Sequence, residues 1–213
     1  MNTPIFSTAF LPPVSYMALL CQHEKVIVEQ HETFPKQTYR NRCVIATANG
    51  PLTLSVPVVR SNHSTTREVG ISYAEPWNIR LWRAIESAYN ASPYFLYYGD
   101  GFRKILLERH ESLLTLNNSL LEYTVKKLKV KAQITYSMDY TPQSAGISDY
   151  RTVFSPKRPQ EGFPIAEYDQ VFADRLGFLP DMSIVDLIFN LGPDSKQYLT
   201  ELGTVMLEYY RLG

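Results

Sequence analysis

Cysteine is scarce in this chain, with Cys21 and Cys43 the only two among 213 residues. Neither belongs to a CxxC pair or to a ligand cluster, which excludes a disulfide framework and gives no support to a metal site. Both are expected to be reduced, buried thiols. Net charge is lacking too, since 21 Lys and Arg balance 21 Asp and Glu. Without a long-range positive field, nucleic acid is not an expected partner. No stretch approaches the ~18 consecutive apolar residues of a membrane span, so membrane insertion is not expected. Met1 to Tyr16 has no basic segment followed by an apolar run of signal-peptide length, and the expectation is a cytoplasmic protein. GxGxxG, a Walker P-loop, a GxSxG elbow and HExxH are all missing, so no cofactor is identified and no metal is expected.

What is present is the composition of a chain that folds. Hydrophobic residues make up 45% and charged residues 20%, enough apolar surface to offset chain entropy, which rules out disorder. The length suits one domain over 1–213. The 15 tyrosines combine an apolar ring with a polar edge, which suits pockets and interfaces as well as cores.

Read along the chain, Ile5 to Phe10 is a short buried strand. Pro12-Pro13 precedes a helix over Val14 to Cys21, and Lys25 to Glu29 alternates like a second strand. This is a βαβ unit with parallel pairing. Arg42 to Thr47 and Pro51 to Arg60 form a hairpin about Ala48-Asn49-Gly50, and Glu68 to Tyr73 returns to strand character. Helices are expected from Pro76 to Asn90, from Phe102 to His110 after a short aromatic segment Tyr94 to Tyr98, and from Glu111 to Leu128. Ala132 to Tyr136 is the last strand. Ser137 to Tyr168 is a long irregular loop of the kind that usually covers a site. Ser183 to Asn190 is a short helix, capped by Ser183 and ended by Leu191-Gly192-Pro193, before a final helix to about Arg211. The fold class is α/β, a mixed sheet begun by the βαβ unit with a hairpin and several helices; α+β is the alternative.

Two polar clusters are candidates for chemistry. The first runs from Glu29 to Arg42. Lys36, Arg40 and Arg42 suit phosphate or carboxylate oxygens, Glu29 and Glu32 suit sugar hydroxyls or can orient a cation, and His31 suits acid or base work. Tyr39 and Asn41 lie among them. Loops leaving the carboxyl ends of strands are where open α/β sheets bind ligands. The alternative is a charged surface loop whose ions pair with one another. In the second cluster Asp186 and Asn190, four apart, share a helical face. They can fix a hydroxyl or amine, or they can serve only the helix ends through the dipole and the stop. A Cys43 and His31 nucleophile pair is disfavoured because Cys43 begins an apolar strand.

Taken in order, several segments resemble the WbqC-like proteins. They are Phe10-Leu11-Pro12-Pro13-Val14-Ser15-Tyr16, then Lys36-Gln37-Thr38-Tyr39-Arg40-Asn41-Arg42, and Leu54-Ser55-Val56-Pro57-Val58. Trp82-Arg83-Ala84-Ile85 with Ala88-Tyr89 follows, and last Gly177-Phe178 with Ser183 to Pro193. The family is named for a gene of bacterial O-antigen clusters. The resemblance implies cell-surface polysaccharide biosynthesis and a transferase acting on an anionic or nucleotide-linked sugar. It joins Lys36, Tyr39, Arg40, Asn41 and Arg42 as ligand-binding residues with Glu32, Asp186 and Asn190 as catalytic ones. The chain departs from the family in having Ser7-Thr8-Ala9 where His-Gln-Pro is frequent, and Leu81 near a frequent histidine. The rival expectation is a noncatalytic assembly protein with an exposed tyrosine-rich patch and no deep polar cleft.

Overall fold

The computed structural model describes residues 3–142, 148–156 and 165–212. Its centre is a parallel sheet in which β1 (Ile5–Ser7) pairs with β2 (Lys25–Glu29), and β2 with a strand from much later in the chain. The crossover from β1 to β2 is α1 (Val14–Leu20), whose residues are all buried. Pro13 enters it in extended conformation with φ −65°, as a proline before a helix should. Val26, Val28 and Ile5 carry the β-branched and apolar character of a strand covered on both faces. The βαβ reading therefore holds, and the fold is mixed α/β.

The hairpin consists of β3 (Arg42–Thr47) and β4 (Gly50–Ser55), paired antiparallel from Arg42 opposite Ser55 to Thr47 opposite Gly50. Gly50 closes the turn at φ +101°, a conformation that glycine tolerates and a side chain does not. The second strand is shorter than expected. Pro57 has no N–H to donate, and the chain breaks there before β5 (Val58–Val59) pairs with β6 (Gly70–Ile71). The expected strand from Glu68 to Tyr73 shrinks to those two residues, preceded by a 3-10 turn at Thr66–Glu68.

Three helices follow: α2 (Trp77–Tyr89), α3 (Phe95–Leu107) and α4 (Leu113–Lys127). Trp77, Leu81, Ile85 and Ala88 form the buried face of α2, as their spacing predicts. The expected break between Tyr98 and Phe102 is absent: α3 runs through both glycines, and Gly101 serves packing rather than a turn. A Cβ at Gly101 would collide with the ring of Tyr123 on α4, whereas one at Gly99 would make only ordinary contact with Phe95, one turn earlier in the same helix.

After α4 the chain makes β7 (Gln133–Tyr136), parallel to β2, then the irregular stretch. Of that stretch, 143–147 and 157–164 lie outside the described residues. Its 148–150 portion adds to the free edge of β1: Ile5 N–H donates to Ser148 O, and Tyr150 N–H to Ile5 O. The chain ends with α5 (Ala173–Leu176), α6 (Ile184–Leu191) and α7 (Ser195–Leu212). Ser183 does not cap α6 with its hydroxyl, which donates instead to Leu11 O at 2.9 Å. Its backbone N–H binds Val44 O, so one residue joins α6 to the N-terminal loop and the hairpin.

The last helix packs on α1 with no side chain between them at Gly203, where a Cβ would strike the backbone oxygen of Ala18. Gly203→Ala should therefore destabilise the protein by about 1–3 kcal/mol despite alanine's better helix propensity. Chemical denaturation of the variant against the wild type measures it.

Candidate functional site

The carboxyl ends of the parallel strands come level, since Ser7 is opposite Glu29 and Val28 opposite Tyr136. Beyond them lies a crevice of about 550 Å³, in the place where open α/β sheets bind ligands. The exit of β2 supplies one wall, with His31, Glu32, Thr33 and, after a loop, Thr38 and Arg40. The stretch after β7 supplies the other, with Tyr140, Arg151, Thr152, Phe154 and Ser155. The β2 wall is held on its outer side by backbone hydrogen bonds from Phe34 N–H to Ser64 O, Thr66 N–H to Glu32 O and Arg67 N–H to Gln30 O.

One carboxylate ties the two walls together. Glu29 has no solvent exposure, and its Oε1 accepts from the N–H groups of Gln30 and His31 and from the Ser137 hydroxyl. Its Oε2 accepts from Thr141 N–H at 3.0 Å and faces Arg151 Nη1 at 3.4 Å. Burial alone would raise the Glu29 carboxyl; the hydrogen bonds and the Arg151 charge outweigh it and hold the group below its ordinary value. Arg151 in turn forks onto Asp149 and donates to Thr141 O. Its guanidinium lies 5.4 Å from the Tyr140 ring centroid, within cation–π range. Donation from Arg151 lowers the Asp149 carboxyl.

Across the crevice Arg40 grips Glu32 bidentately, Nε to Oε1 at 2.8 Å and Nη2 to Oε2 at 2.7 Å. Its backbone is fixed from below, where the buried Asn117 amide donates to Arg40 O and to Thr8 Oγ1. Thr8, one of the residues in the departing N-terminal segment, therefore supports the floor under Arg40. Nη1 of Arg40 has no partner among the described residues, and the carboxylate oxygens of Glu32 keep a lone pair each.

The remaining expected residues lie elsewhere. Lys36 is exposed on the loop and does not line the crevice. Tyr39 packs against the core, its phenol pushed up by burial. The Asn41 side-chain amide donates to Val56 O and the Asn41 backbone carbonyl accepts from Val56 N–H, which ties the loop to the end of β4. Arg42 begins β3, its Nε buried without a partner among the described residues. Of the three cations expected to converge, only Arg40 lines the crevice, because Lys36 sits on the irregular loop before it and Arg42 has already entered β3.

Asp186 and Asn190 do not line it either. Asp186 is fully buried on α6 and accepts from Tyr168 Oη at 2.6 Å and Gln170 Nε2 at 2.8 Å. Burial raises its carboxyl, against the pull of those donors. Gln170 also spans Leu179 through both N–H and O, so Asp186 latches the segment from 168 to 179 onto α6. Asn190 donates to Asp186 O along the same helix. The two thiols are free, and burial pushes Cys21 up to about 12 and Cys43 higher, which leaves neither a nucleophile at neutral pH. Among the described residues no cluster of three or more His, Cys, Asp or Glu is placed to hold a metal, and no helix is long and apolar enough to cross a membrane.

Comparison with known proteins decides the family. A profile of the WbqC-like protein family matches residues 8–153, more than half of the chain and every residue named above in the crevice walls except Phe154 and Ser155. The chain belongs to the WbqC-like protein family. It is also 27% identical over 225 residues to the uncharacterised protein Rv1507c of Mycobacterium tuberculosis, covering 92% of this chain and 96% of that one. No solved structure matches. The family match ends before α6, so Asp186 and Asn190 fall outside it.

Tyr140, Arg151, Thr152 and Phe154 were not legible as site residues; the only sign of them was the length of the loop that holds them. Two outcomes follow from the buried carboxylates. Glu29→Ala should cost about 3–5 kcal/mol, the range for breaking a buried ion pair, here with three N–H groups also losing this acceptor, whereas Asp186→Ala, which removes a neutral-donor latch, should cost about 1–3 kcal/mol. Because the folded value of Glu29 lies below the unfolded one of about 4.3, its contribution is present above that pH and is lost as pH falls through the folded value. Denaturant titrations from pH 7 to 3 should show a shallower acid loss for Glu29→Gln than for the wild type.

Proposed function

We propose that this protein is a transferase of bacterial cell-surface polysaccharide biosynthesis acting on a nucleotide-linked sugar, with the crevice at the ends of β1, β2 and β7 as its site. The observation that carries this reading is the convergence there of Arg40, Glu32 and His31 from one wall with hydroxyl and aromatic side chains from the other. Membership of the WbqC-like family supports it. Arg40, held by Glu32, offers to the ligand its Nη1, which has no partner among the described residues. Glu32 receives an acceptor hydroxyl on its remaining lone pairs, and His31 is the imidazole within reach for proton transfer. A polar cleft of this size is the feature that the assembly-protein alternative lacks.

Thermal-shift measurements with a panel of nucleotide sugars test the reading, since a ligand at 100 times its Kd adds about 2.7 kcal/mol of stability. At least one nucleotide sugar should raise Tm. Arg40→Ala should abolish the shift, and Arg42→Ala, which lies off the crevice, should keep it. A shift that Arg40→Ala leaves intact removes the crevice from the proposal.

A further inference from the structure

The crevice holds charge, but its charge is already spoken for within the protein. Both oxygens of Glu32 face Arg40 at 2.8 and 2.7 Å. Arg151 is engaged on Nε and Nη2 by Asp149 and on Nη1 by Thr141 O, with Glu29 beside it. Three carboxylates thus accompany two guanidinium groups, and Lys36 stands exposed outside the lining. Among the described residues a phosphate entering this space meets no unpaired cation and a local excess of negative charge, which opposes it by the same rules that make anion sites basic. No glycine-rich loop or helix N-terminus is among the described lining segments to supply backbone N–H groups instead.

The rest of the lining is neutral and suited to a different ligand. Thr33 and Thr152 are exposed at the crevice with hydroxyls that have no partner among the described residues, and they come from opposite walls. Tyr140 is 53% exposed, and its ring is braced by the Arg151 guanidinium. Phe154 gives an apolar floor, packed on Tyr16 of α1. Hydroxyl partners on two sides, a braced aromatic ring and the remaining N–H edge of Arg40 are the chemistry that holds a polyhydroxyl ring, polar at its rim and apolar on its faces. Resting on the transferase reading, we propose that the crevice is a subsite for an uncharged sugar ring and that the phosphates of a nucleotide-linked donor lie outside it. Tyr140, Thr33 and Thr152 are its specificity-determining residues.

Saturation-transfer NMR on the full chain tests this with the methyl glycosides of glucose, galactose and N-acetylglucosamine, alongside phosphorus NMR with inorganic pyrophosphate. At least one glycoside should bind, and Tyr140→Ala or the pair Thr33→Val and Thr152→Val should weaken it about tenfold, the loss of one aromatic contact or two hydrogen bonds. All three positions are exposed, so the variants should fold as the wild type does. Pyrophosphate should show no binding that Arg40→Gln alters. Absence of binding by all three glycosides overturns the subsite, as does glycoside binding indifferent to those variants or pyrophosphate binding lost in Arg40→Gln. Glycoside binding without turnover of any nucleotide sugar keeps the subsite and removes the transferase reading. Turnover without glycoside binding does the reverse.

Discussion

Glu29 stands where the last residue of a central parallel strand meets the two described segments that build the crevice. Its buried carboxylate receives N–H groups from the wall that follows β2, a hydroxyl and an N–H from the segment that follows β7, and the charge of Arg151. A buried anion is expensive unless its lone pairs are filled. Here the filling can be done only if β2, β7 and the 148–150 edge strand are in register. The carboxylate thus makes the geometry of the walls a condition of folding, and the crevice inherits its shape from that condition.

Around this sheet the helices pack by close approach more than by bulk. Gly203 lets α7 touch the backbone of α1, and Gly101 seats Tyr123 of α4 against α3. Tyr123 then donates to Tyr98 O on α3. Phe189 of α6 sits among Tyr89, Phe95 and Phe102 from α2 and α3, with edge-to-face and tilted rings between about 5 and 6 Å apart. Many of the tyrosines therefore do the work of a core, with their hydroxyls spent on backbone carbonyls, as Tyr16 does on Ser7 O at 2.8 Å. Asp186 belongs to this layer, where it secures the chain that returns from the irregular stretch.

In the crevice the charged groups are arranged before any ligand arrives. Arg40 and Arg151 are each oriented by a carboxylate fork, and Arg40 is further fixed through Asn117 and Thr8. Fixing side chains in advance lowers the ordering cost of binding. It also reduces the attraction for anions, because each guanidinium has been partly neutralised by its own partner. On the proposed reading, the same pairing that fixes these side chains favours ligands recognised by hydroxyls and ring faces.

The βαβ unit, the parallel order, the hairpin turn at Gly50 and the helices α2, α4 and α6 follow from local pattern: alternation, 3.6-residue spacing, prolines before helices and a glycine with positive φ. The position of a ligand crevice after β2 follows from the same reading, since it depends on where a parallel strand ends. Local pattern misjudged α3, because Gly99 and Gly101 look like a break in sequence, whereas Gly101 is a contact point with Tyr123 of α4, a residue whose nearness only packing reveals. It also grouped Lys36, Arg40 and Arg42 as one cationic site, although neighbouring charges point in different directions once the loop turns into β3. The opposing wall, with Tyr140, Arg151, Thr152, Phe154 and Ser155, was out of reach because no periodicity marks it. It is placed by the edge of β1 and by one buried carboxylate more than a hundred residues earlier, and such long-range pairing is a property of the folded chain alone.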